Sequence, residues 1–127
     1  MLVINKDIID KIMEQGRREA PLEACGYLAG KDEKIVKYYP MKNIDKSTDH
    51  FSLDPKEQFA VIKDVRGEGL ELIAVYHTHP KSYARPSSED IRLAYDPNII
   101  YIIVSLLDNA VRAYRIIKGV VSEEEVI

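Results

Sequence analysis

The sequence predicts an α/β protein, a three-layer sandwich with a central mixed sheet flanked by helices. Three observations carry this. Ile8, Ile9, Ile12 and Met13 recur at helical spacing near the start, and Asp54-Pro55 opens a second helical stretch. Residues 70–79 form a strand that is apolar on both faces, which marks a central strand covered on each side. Strand patterns at 99–107 and 111–117 follow in sequence, so helices and strands mix rather than segregate. At 127 residues the chain is expected to be a single domain, 1–127.

The first helix is capped by Asn5 and ends before Pro21. Cys25–Gly30 reads as a short strand, and Gly30-Lys31-Asp32 turns it into another near Lys34–Met41. Asn43–His50 is polar and reads as a loop. Asp54 caps the second helix, with Pro at the first helical position and Glu57 at the third, and Gly67-Glu68-Gly69 ends it near Arg66. In the strand Leu70–His79, strict alternation places Ile73 and Val75 beside His77 and His79, with Leu72, Ala74 and Tyr76 opposite. Pro80 stops that strand. A loop runs to Pro86, and a short helix from Ser87 or Ser88 ends near Asp96-Pro97. Asp108-Asn109 joins the last two strands, and the acidic tail Ser122–Ile127 is expected to fray.

Composition removes several functions. Eighteen basic and twenty-one acidic residues give a formal charge of −3, so no basic field exists to hold a nucleic acid. A TIM barrel needs about 250 residues and is excluded by length. The N-terminus carries charges where a signal peptide would carry its apolar core, and no apolar run approaches the roughly 20 residues of a membrane span. A lone cysteine, Cys25, forms no internal disulfide and reads as a small core residue. A cytoplasmic protein without membrane partners is the expectation.

The chemistry concentrates in residues 76–90. On a strand, His77 and His79 project from one face roughly 7 Å apart along the chain, and their rings can converge on one ion. Zinc suits imidazole and needs no thiolate. Asp90 is the best third ligand. With Ser87 as N-cap it lies in the first helical turn, where a carboxylate is favoured and can point back to the strand end. Ser87-x-x-Asp90 is equally a plain capping box when taken alone. Glu23, just ahead of an apolar strand, is a candidate proton acceptor, but residue type leaves it open between that role and a solvated loop carboxylate. His50 reads as a solvated loop residue, and Tyr83 and Arg85 as candidates for substrate contact.

Glu23-x-Cys25-Gly26, His77-x-His79-Pro80 and Ser87-x-x-Asp90 together closely resemble the JAMM (MPN+) metallopeptidases, above all their short stand-alone prokaryotic members. Pro40-x-x-Asn43, Phe51-x-x-Asp54-Pro55 and the Asp108–Arg115 hairpin extend the resemblance over nearly the whole chain. The resemblance implies the MPN/JAB fold, similar to the cytidine-deaminase architecture. It implies Zn2+ held by His77, His79 and Asp90, Glu23 as general acid/base, and Ser87 as the hydroxyl that steadies the oxyanion. It further implies cleavage after the C-terminal Gly-Gly of a ubiquitin-like protein, with a ubiquitin-fold sulfur-carrier protein or its conjugate as substrate. The segment from His79 to Asp90 is minimal, so reading of ubiquitin chain linkage is not expected. The alternative is a non-catalytic MPN-fold module that binds a ubiquitin-like partner. A zinc deaminase would need Pro-Cys-x-x-Cys, which one cysteine cannot supply. A cupin-like site expects a further His, and none follows His79.

Overall fold

The computed structural model covers residues 1–127. Its centre is a seven-stranded mixed sheet in the order β1-β3-β2-β4-β5-β6-β7. The strands are β1 (Val3–Ile4), β2 (Cys25–Lys31), β3 (Lys34–Met41), β4 (Glu71–His79), β5 (Ile100–Ser105), β6 (Val111–Ile117) and β7 (Val120–Glu124). The helices are α1 (Lys6–Glu19), α2 (Pro55–Gly67) and α3 (Ser88–Arg92). No helix is long and apolar enough to cross a membrane.

Helix starts follow local chemistry. The side chains of Asn5, Asp54 and Ser87 each accept a backbone N–H from the first turn of α1, α2 and α3. Ile8, Ile12 and Met13 of α1 pack on one face of the sheet with Leu28, Ile35, Tyr76 and Ile102. On the other face, α2 covers Tyr27, Val75 and Ile99 through Val61, while Ile91 of α3 covers Ile103 and Ile116. The expected three layers are therefore present, with β4 at the middle of the sheet.

Four sequence expectations need correction. The β2–β4 register shifts between Leu28 and Ala29, where Leu28 pairs with Ala74 but Ala29 with Leu72. Ile73 is the extra residue of this bulge, and strict alternation breaks there. Leu72 accordingly joins the Val75 cluster, and Ile73 packs on the α1 side. The helix expected to reach Asp96-Pro97 stops at Arg92. The tail does not fray. Lys118 (φ 50°) and Gly119 (φ 80°) form a turn with two left-handed residues, and β7 folds back on β6. Finally, β1 was not expected. It pairs in parallel with β3, and Leu2 pairs in parallel with Val126. The Leu2 N–H donates to the Glu125 carbonyl (2.7 Å), Ile127 N–H to Leu2 (2.9 Å) and Ile4 N–H to Ile127 (3.0 Å). The sheet thus curls until its two ends meet across a terminal seam.

Register places the candidate residues at one end of the sheet. Cys25 of β2 pairs with His77 of β4. The Thr78 N–H donates to the Ala24 carbonyl, and the Ala24 N–H returns to Thr78 Oγ1 at 2.8 Å. These bonds carry the antiparallel pairing past the strand start and leave Glu23 beside His79. Gly26 has no alternative in this ladder, because a Cβ there would collide with the Tyr39 carbonyl and the Tyr76 ring.

Candidate metal centre

His77 and His79 lie at the C-terminal end of β4, on the face covered by α2 and α3, and both are buried. Asp90 reaches them from the first turn of α3. His77 Nε2 and His79 Nε2 are 3.1 Å apart, and Asp90 Oδ2 is 3.2 Å from each. Three donor atoms thus form a nearly equilateral triangle. In a tetrahedral site with bonds of about 2.0–2.1 Å, ligand atoms stand about 3.3–3.4 Å apart. The triangle matches one face of such a tetrahedron to within a few tenths of an ångström.

A hydrogen bond fixes which lone pair of His79 faces inward. His79 Nδ1 lies 2.8 Å from the Tyr83 carbonyl. A carbonyl only accepts, so Nδ1 carries the proton, and in the neutral ring Nε2 presents its lone pair. Asp90 Oδ2 also accepts the Ser87 N–H at 2.9 Å, while Ser87 Oγ accepts the Asp90 N–H at 3.0 Å. This reciprocal capping box both caps α3 and aims Asp90 at the imidazoles. Ser87 Oγ uses a lone pair there, so its own proton remains available.

Charge follows the same logic. Burial works to raise the Asp90 carboxyl, but the two imidazoles hold it far below the usual carboxylate range. Burial pulls the His79 imidazole down, yet the bonds to Asp90 and Tyr83 leave it raised. His77 is lowered, chiefly by burial. Donors of this kind, converging with lone pairs inward, fit a divalent cation.

Glu23 is 2% exposed. One of its carboxylate oxygens lies within 4.8 Å of the imidazole nitrogens of both histidines. Oε1 is buried and has no hydrogen-bond partner in the protein. Burial pushes its pKa up to about 8, with Asp90, Asp49 and Glu89 raising it further against the opposing pull of His79. Glu23 is therefore no solvated loop carboxylate.

Cys25 is fully buried, and burial pushes its thiol up to about 12. His50 is partly exposed in its loop, with Nδ1 3.0 Å from Asp45 Oδ2. Tyr83 contributes a backbone carbonyl to the site, while its ring is exposed with the Arg85 guanidinium 5.8 Å away. Phe51 was missed. Its ring stacks on His77 with centroids 4.8 Å apart and planes 25° from parallel. Beyond His77 and Asp90 opens a mainly apolar cavity of about 510 Å3 between α2 and α3, lined among others by Phe51, Leu72, Val75 and Tyr95.

A sandwich fold with two strand imidazoles, a helix-borne carboxylate and a buried acid beside them defines a hydrolase of the metalloprotease class, acting on peptide or isopeptide bonds. The chain belongs to the family of prokaryotic homologs of the JAB domain, whose model matches residues 5–117. It is 35% identical over 131 residues to the CysO-cysteine peptidase of Mycobacterium tuberculosis, covering 99% of this chain and 90% of that protein. It is 30% identical over 111 residues to the desampylase of Haloferax volcanii, covering 82% and 80% respectively. A solved structure from Desulfitobacterium hafniense superposes with a TM-score of 0.91 at 38% identity, covering 100% of this chain and 92% of that one.

Proposed function

We propose that the chain is a zinc-dependent peptidase of the cytoplasm that cuts the amide bond after the C-terminal Gly-Gly of a ubiquitin-fold sulfur-carrier protein or its conjugate. The observation that carries this is the triangle of His77, His79 and Asp90 donor atoms, 3.1–3.2 Å on each edge, with the buried Glu23 carboxylate beside the imidazoles. The names of the mycobacterial and archaeal relatives supply the substrate class, since one cleaves a CysO-cysteine bond and the other is a desampylase.

His77, His79 and Asp90 would hold the ion. Zinc, when bound, supplies a Lewis acid that polarises the scissile carbonyl and lowers the pKa of water toward neutrality. Glu23 takes a proton from the attacking water and delivers it to the leaving amine. Burial favours the protonated form of Glu23 and a bound cation would favour the ionised one, so the two oppose each other at the group that must take and return a proton. Ser87 donates its free hydroxyl proton to the carbonyl oxygen as negative charge develops there in the transition state. With Asp90 and Glu23 ionised, two negative charges balance a divalent cation. The apolar cavity of about 510 Å3 next to His77 accommodates a larger side chain of the carrier tail.

The test is incubation of the zinc-loaded protein with the host's own ubiquitin-fold carriers bearing C-terminal extensions, read by mass spectrometry. A cut after Gly-Gly that chelation abolishes and zinc restores is the expected result. Binding of a carrier without any cleavage, at full zinc occupancy, would favour the non-catalytic module instead.

A further inference from the structure

Both peptide groups of Glu23 are bonded to the loop between β3 and α2, which supplies none of the three metal donors. The Glu23 N–H donates to the Ser47 carbonyl at 2.8 Å. The Glu23 carbonyl accepts from Asn43 Nδ2 at 3.0 Å. Asn43 is 4% exposed. Its Nδ2 also donates to the His50 carbonyl at 3.0 Å, and its Oδ1 accepts the N–H groups of Asp45 (3.1 Å) and Ser52 (3.2 Å). An amide side chain has two N–H donors and two acceptor lone pairs, and all four are used. His50 and Ser52 flank Phe51, the residue stacked on His77. One amide therefore spans the acid on one side and the aromatic support of a donor imidazole on the other.

We infer that Asn43 is a positioning residue for the reaction, a clamp that fixes the Glu23 carboxylate relative to His77. The inference rests on Glu23 acting as the acid/base. Glu23 precedes β2, so its own backbone has no place in the regular ladder and needs another anchor. Within its loop Asn43 uses Oδ1, in the manner of an Asx turn, and one Nδ2 proton, to the His50 carbonyl. The other Nδ2 proton leaves the loop and reaches the carbonyl of the acid itself. A reacting group misplaced by about 1 Å can lose about 10² in rate, so this anchor has kinetic weight.

Asn43→Asp separates the two halves. It keeps the side-chain shape and the acceptor for Asp45 and Ser52, and it removes the donor to Glu23 and His50. The expected result is a kcat lower by roughly 10- to 100-fold, KM changed by less than about threefold, and one equivalent of metal retained. An unchanged kcat in the folded variant overturns the inference, as does a loss that merely tracks lost metal. If the variant does not fold, amide exchange by NMR on the wild-type protein decides. The Asn43 side-chain protons and the Glu23 N–H should exchange at one common, slow rate. Free exchange of the Asn43 protons beside a protected Glu23 N–H refutes the clamp. Retained turnover in Glu23→Gln would sink the acid/base reading and leave the exchange result intact, so the two failures are distinguishable.

Discussion

Replacing Glu23 by Gln should stabilise the metal-free protein, increasingly as pH rises above about 4.5. Burial pushes this carboxyl from 4.5 to about 8 in the folded chain. The folded state therefore holds a proton that the unfolded state has released, and stability falls as pH rises from about 4.5 to about 8. At about 1.4 kcal/mol for each tenfold step, the gap amounts to roughly 4–5 kcal/mol above pH 8 and vanishes below pH 4.5. Gln keeps the shape and carries no charge, so it escapes the loss. Urea unfolding of both proteins in the presence of a chelator, at pH 5 and pH 8.5, reads the difference directly. The two should unfold at similar urea at pH 5, with the variant requiring clearly more at pH 8.5. Saturating divalent metal should shrink the difference, because positive charge beside Glu23 favours its ionised form. Parallel pH curves for the two metal-free proteins would refute the assignment of a desolvated, protonated Glu23.

The remaining predictions concern single contacts. Ser87→Ala removes the acceptor of the Asp90 N–H and the proton proposed for the carbonyl oxygen. It should lower stability by about 1 kcal/mol and kcat by about 10²–10³, so melting and turnover together separate the cap from the chemistry. Asp90→Asn keeps the shape but loses the anionic oxygen shared by both imidazoles and the Ser87 N–H. Metal affinity should drop by more than about 100-fold, exceeding what loss of a supporting contact produces, as read by elemental analysis after dialysis. Gly26→Ala places a Cβ against the Tyr39 carbonyl and the Tyr76 ring, and should yield no soluble folded protein by circular dichroism.

The parts of the fold set by short-range chemistry were legible in the sequence. Asn5, Asp54 and Ser87 announce their helices because an N-cap acts within three residues. His77 and His79 were legible because strand alternation holds from Val75 onward, and Asp90 because the Ser87 cap fixes its place in the turn. Long-range pairing was not legible. The bulge at Ile73 answers to its partner strand β2, and nothing in residues 70–79 alone signals it. Val3–Ile4 is too short to register as a strand until residues 33–35 and 125–127 lie beside it. The tail had a readable cue in Lys118-Gly119, a turn pair outweighed by the acidic residues that follow. Phe51 and Asn43 stood in stretches that carried the family resemblance, but their meaning depends on contacts 20 or more residues away, to Glu23 and His77.

The terminal seam has a consequence for how the molecule is made. Residues 125–127 are synthesised after every element they close, and until they emerge Leu2 and Ile4 have no partner on that side. Val126, which packs against the cluster that includes Leu2, Ile4, Ile8 and Ile12, is likewise added after the strands it meets. Pairing residues so far apart in sequence raises the contact order, and the loop-closure entropy it costs slows folding.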